Sequence, residues 1–141
     1  MIVLDTNVIS ELMRPAPNAD VVAWVDGLPA GELAVTAVTV AEVLYGIARL
    51  EDGQRKGMLG ALARTMFEEE FGGRVLAFGA EEAEVYAELV ARRHAQGSPI
   101  SMADSQIAAV AVCRGARLGT RNVGDFAGLP LEVVNPWGEG G

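Results

Sequence analysis

The sequence predicts an α/β fold, a layered domain with a mainly parallel central sheet and helices on both faces. Short apolar runs rich in β-formers, such as Ile2-Val3-Leu4 and Leu33 to Thr36, alternate with longer stretches whose apolar residues recur at helical spacing. The first run is apolar throughout, as expected of a strand buried on both faces of a parallel sheet. Half of the 141 residues are hydrophobic, which favours a packed core over disorder.

The first strand, Ile2 to Leu4, stops at the carboxylate of Asp5. Thr6 and Asn7 can cap a helix carrying Val8, Ile9, Leu12 and Met13, which Pro15 and Pro17 end. A short helix over Ala19 to Asp26 closes at Gly27. After the strand Leu33 to Thr36, Thr39-Val40-Ala41-Glu42 matches a capping box, and Val40, Val43, Leu44 and Ile47 place a helix from about Val40 to Leu50. A longer helix from about Gln54 to Phe71 carries an apolar stripe of Met58, Leu59, Leu62, Met66 and Phe67.

Arg74 to Phe78 reads as a third strand, followed by a helix from Ala80 to about Gln96 with acids in its first turns, where the helix dipole favours them. Ser101-Met102-Ala103-Asp104 opens a nearly all-apolar helix that belongs in the interior. Leu118 to Thr120 and Leu131 to Val134 read as the last two strands, the fifth closing one edge. The expected organisation is a single domain over 1–136 with a flexible tail at 137–141.

Composition narrows the chemistry. The one histidine, His94, excludes a multi-histidine zinc site, so a metal would be held by oxygen ligands, which favours magnesium or manganese. The lone Cys113 cannot form an internal disulfide, and it suits a reducing cytoplasm. No apolar run reaches the ~18 residues of a membrane span. The formal charge of −8 argues against bulk attraction to nucleic-acid phosphates, yet it permits an enzyme that meets phosphates through bound cations.

Four places carry acids of interest: Asp5, Glu42, Asp104 and the segment Thr120 to Phe126 with Asn122 and Asp125. A capping box by itself accounts for Glu42. Asp104 is harder to explain that way, because Asp is too short for the return bond and Ala108 and Ala111 leave space above it. Helices that follow parallel strands start at the sheet's carboxyl edge, so these acids overlook the crevice where Asp5 ends its strand. Carboxylates ~4 Å apart repel by about 4 kcal/mol per pair at an effective dielectric of ~20. A divalent cation removes that conflict and suits in-line displacement at phosphorus.

Asp5-Thr6-Asn7 after an amino-terminal strand, Thr39 to Gly46 around Glu42, Ala103-Asp104 opening an alanine-rich helix, and Thr120-Arg121-Asn122 before Asp125-Phe126 together resemble the PIN-domain ribonucleases. The likeness is to the VapC-type, FitB-like toxins of bacterial toxin–antitoxin pairs, and it runs from Met1 to Pro136. It implies a three-layer α/β/α sandwich, an endoribonuclease dependent on Mg2+ or Mn2+, a homodimer, and a cognate antitoxin whose tail occupies the active-site groove. Asp5, Glu42 and Asp104 match the family's acidic triad and would hold the metal. For the family's fourth acid, Asn122 stands at the matching place and Asp125 is the nearest carboxylate; both stay open. Thr6, Asn7, Ser101 and Thr120 would orient the carboxylates. Six arginines, Arg49, Arg92, Arg93, Arg114, Arg117 and Arg121, are candidates for an RNA path, with Arg121 foremost, and Trp24 and Tyr45 are candidates for base stacking or packing. The alternatives are a non-catalytic binding module on the same fold and an acidic α/β phosphohydrolase.

Overall fold

The computed structural model describes residues 1–138. Strand β1, Ile2–Leu4, is fully buried and pairs in parallel on both sides. Its neighbours are β2, Leu33–Thr36, and β4, Arg117–Gly119. Two-residue strands close the edges, β3 (Val75–Leu76) beside β2 and β5 (Val133–Val134) beside β4. The order β3-β2-β1-β4-β5 is parallel throughout, and the chain reverses its direction of winding at β1. At such a switch point the connections leave β1 and β4 on opposite faces, which opens a crevice above their carboxyl ends.

The pleat sorts the core into two layers. Ile2 and Leu4 point to one face with Leu33 and Val35, where helices α1 (Thr6–Leu12), α2 (Ala19–Asp26), α3 (Ala37–Ala48) and α4 (Gln54–Thr65) cover them. Val3 and Ala34 point to the other, under α5 (Ala80–Ala95) and α6 (Met102–Cys113). Trp24 of α2 packs on β4 over Gly119, where a β-carbon would stand 3.0 Å from the indole, so any side chain there would require the indole to give way. Trp24 is therefore a packing residue.

Several local expectations change. The helix after β2 starts at Ala37, because the Thr36 hydroxyl accepts the Thr39 N–H at 3.1 Å. The capping box expected at Thr39 and Glu42 therefore does not form. Asp5 itself, rather than Thr6 or Asn7, caps α1, accepting from the Thr6 N–H at 2.8 Å. The helix expected to end at Phe71 widens into a π-turn over Met66–Glu70. That turn puts Met66, Phe67 and Phe71 in the core, while Met58 and Leu62 stay exposed. Ala108 and Ala111 do not leave open space; both are fully buried, and their small size lets α6 pack closely.

Trp137, assigned to the loose tail, is buried in the core layer of α1 and α2, so the packed chain extends past 136. Residues 139–141 of that expected tail lie outside the described residues. Among the described residues no helix is long and apolar enough to cross a membrane.

Candidate active site

Asp5 leaves β1 at the switch point and is 3% exposed. Its Oδ1 takes the Thr6 N–H, and its Oδ2 takes the Thr120 hydroxyl at 2.7 Å and the Asn7 amide at 3.3 Å. The Thr120 oxygen is itself fully used, since it also accepts from Asn7 Nδ2 at 3.2 Å and from the Asn122 N–H at 3.1 Å. Asn7 completes the lattice by accepting the Arg121 N–H at 3.2 Å. The Thr120–Asp5, Asn7–Thr120 and Arg121–Asn7 bonds join the end of β1 to the end of β4, so the pairing of two central strands helps fix the rotamer of Asp5.

Glu42 comes in from α3, where the Thr6 hydroxyl donates to its Oε1 at 2.6 Å. The same Thr6 oxygen lies 3.0 Å from the buried Thr39 hydroxyl. One threonine thus couples the first turn of α1 to the second acid. Asp104 is the third residue of α6, half-buried, with its N–H given to the Ser101 side chain at 3.2 Å. Asp5, Glu42, Asp104 and Asn122 all line one cavity of about 530 Å³.

Burial pushes the Asp5 carboxyl above its ordinary value, the Thr120 and Thr6 bonds oppose that, and the charges of Asp104 and Glu42 add to it. Asp104 is also raised, again by burial first, with Asp125 and Glu42 adding to it. The acids therefore feel one another across the crevice. Asp125 is exposed in the 3-10 turn Val123–Phe126 that follows Asn122; its charge reaches Asp104, and its side chain is not in the cavity wall.

That turn is pinned by a residue whose structural part the sequence did not reveal. Arg93, among the arginines suggested for an RNA path, is 5% exposed and gives its guanidinium to backbone carbonyls instead. It donates to Ser98 O at 2.7 Å, Asp125 O at 2.9 Å and Ala127 O at 3.3 Å. It thereby ties the loop leading into α6 to the segment carrying Asn122. Tyr45 is exposed, pairs with Arg49 at 5.8 Å, and is not part of the cavity wall.

The donor set suits a hard cation, since the three acids and Asn122 offer only oxygen and amide groups. Among the described residues no three acidic, histidine or cysteine side chains close tightly enough around one point to enclose an ion. Magnesium accepts that arrangement, because it keeps several waters and binds through one or two carboxylates. A second groove of about 1240 Å³ runs from this crevice along α1, α3 and α4, lined by Met13, Val43, Ile47, Met58 and Leu62. Thr6, Ser10, Arg14 and Glu42 belong to both depressions.

A family model described as PIN domain matches residues 2–127. The chain is 40% identical to Toxin FitB of Neisseria gonorrhoeae over 137 residues, covering 97% of this chain and 99% of that protein. It is 39% identical to VapC ribonuclease Y4jK of Sinorhizobium fredii, covering 97% and 98%. The crystal structure of FitAcB from N. gonorrhoeae superposes with a TM-score of 0.91 at 40% identity, covering 98% of this chain and 99% of that one.

Proposed function

Because the chain belongs to the PIN-domain family, we propose that it is a metal-dependent endoribonuclease, the toxin of a bacterial toxin–antitoxin pair acting in the cytoplasm. The observation that supports this most is the crevice itself: Asp5, Glu42 and Asp104 come from three separate elements, each held in place by a hydroxyl or backbone N–H, and share one cavity. Gathering three carboxylates, with Asp5 and Asp104 raised by burial and by neighbouring acids, costs the folded protein stability, which marks the crevice as a functional site.

In this reading Asp5, Glu42 and Asp104 hold Mg2+ or Mn2+. When bound, the cation neutralises charge at phosphorus and activates water. The chain's own contribution is orientation. Thr120 and the Thr6 N–H keep Asp5 in one rotamer, and the Thr6 hydroxyl holds Glu42 toward the same space. Asn122, in the cavity wall, takes the fourth position as a neutral group toward water or a phosphate oxygen, and Asp125 contributes only its field. The apolar groove receives the antitoxin: a segment lying along α1, α3 and α4 passes directly into the acids, so docking there covers the catalytic groups.

With magnesium or manganese the protein should cleave single-stranded or structured RNA, and excess chelator should abolish cleavage, with restoration on adding the metal back. Cleavage that survives exhaustive chelation would overturn the mechanism. The chain is further expected to be a homodimer, so its mass in solution at micromolar concentration should be twice that of one chain; a single-chain mass throughout that range would refute this.

A further inference from the structure

The crevice has a second wall that the acids do not use. Asn7 and Glu11 stand one turn apart on the same side of α1, and Arg14, in the bend just past its end, folds back onto Glu11. Glu11 is buried, an unusual place for a carboxylate, and it is fully committed. It takes the Asn18 N–H at 2.9 Å and Arg14 Nη1 at 3.3 Å on each oxygen. The Asn18 bond, then Arg14, then the charge of Arg121 hold its carboxyl below the ordinary range. Arg121 arrives from the end of β4 with its backbone N–H on Asn7 and its guanidinium 5.1 Å from the centre of the Trp137 ring. Both arginines line the cavity that contains Asp5, Glu42 and Asp104.

We propose that Arg14 and Arg121, seated on Glu11 and Trp137, form a subsite for an RNA phosphate next to the one cleaved at the acids. This deepens the nuclease reading and rests on it. On a chain of charge −8, attraction for a polyanion has to be local, and these are the two cationic side chains in that cavity wall. A guanidinium already ordered on an aromatic face loses little freedom when it takes a phosphate in its planar fork. RNA carries a phosphate at every nucleotide, so a strand held with one phosphate at the acids lays the next along the crevice. The arginines thus fix register, and the acids act on the bond that register selects.

The test is binding of a fluorescent single-stranded RNA 12-mer, followed by anisotropy in calcium buffer over a range of salt, with cleavage of the same RNA in magnesium measured separately. The Arg14→Gln/Arg121→Gln protein is expected to bind about tenfold or more weakly, with a salt slope shallower by ~0.7, the signature of one lost phosphate contact. The Lys/Lys counterpart should keep the slope and lose part of the affinity, because an ammonium lacks the fork. Arg92, an RNA-path candidate in sequence, stands on α5 outside the lining of the crevice, so Arg92→Gln makes the same charge change there and should alter binding less than twofold. Arginine-dependent binding supports the subsite even if no RNA is cleaved, an outcome that would remove the nuclease reading alone. Cleavage with RNA binding unchanged in the Gln/Gln protein would overturn the subsite and leave the nuclease standing. Equal losses from Arg92→Gln, or no RNA binding by the parent, would also overturn it.

Discussion

Asp104→Asn is expected to abolish RNA cleavage, by about 100-fold or more, while leaving the metal-free protein as stable as the parent or more so. The magnitude follows from rank: groups that only orient a metal ligand cost 10–100-fold when lost, so a ligand should cost at least the top of that range. The sign of the stability change follows from charge. Burial first, then Asp125 and Glu42, raise the Asp104 carboxyl against an opposing Ser101 hydrogen bond, so its ionised form costs the folded state free energy above the ordinary Asp range. As pH rises through the window from the ordinary value of 3.8 to the raised one, the parent without metal should lose stability, and Asp104→Asn should lose less. The amide keeps the Asp104 N–H bond to Ser101, which belongs to the backbone. Melting curves with and without manganese, beside a cleavage assay, separate the two effects. If Asp104 were only part of a helix start, both cleavage and metal-induced stabilisation would survive the change.

Asp5→Asn is expected to lose cleavage just as completely but with the opposite stability change, a loss of about 1–3 kcal/mol measured by denaturant titration. Asp5 is also raised by burial and by its acidic neighbours, so relief of repulsion alone would stabilise the variant. Hydrogen bonding decides otherwise. Both Thr120 and Asn7 point donors at Asp5 Oδ2, and Thr120 already accepts from two other groups. An amide NH2 at that position faces two donors, with no acceptor to spare, inside a site only 3% exposed. The same isosteric change thus stabilises or leaves neutral an acid such as Asp104, whose contacts are with one side chain, that of Ser101, and can be met by the amide oxygen. It destabilises one built into a side-chain lattice. A neutral or stabilising Asp5→Asn would mean that the Thr120–Asn7 lattice rearranges freely and does not fix Asp5.

What the sequence determined by itself is the alternation of strands and helices and the nature of the donors. Ile2–Leu4 is short, unbroken and apolar, and only a strand buried on both faces accommodates it. That Asp5, Glu42 and Asp104 share one crevice could be expected because each follows a strand or opens a helix, and in a parallel sheet such places converge on one edge. Their roles were less legible. Glu42 looked explained by a helix cap because Thr39 precedes it by three residues, yet the fold gives that cap to Thr36 and turns Glu42 toward Thr6, 36 residues away in sequence. Hydroxyls at Thr36 and Thr39 are equivalent as sequence signals; only the end of β2 decides which one starts the helix.

Tertiary structure decided which of the candidate arginines line the crevice. Arg121 stood out in sequence only by its place in the Thr120–Asn122 segment, and nothing local told Arg93 from the remaining candidates. Arg93 is buried on backbone carbonyls and Arg121 stands at the crevice on Trp137. Trp137 itself follows Asn135 and Pro136, which read locally as the end of a domain, and its burial comes from a face of α1 and α2 that lies over 110 residues away along the chain. A residue's own helix or strand is set by its near neighbours, so sequence reports it. Which side chain meets which across the switch point depends on how the layers pack, and that information is spread over the whole chain.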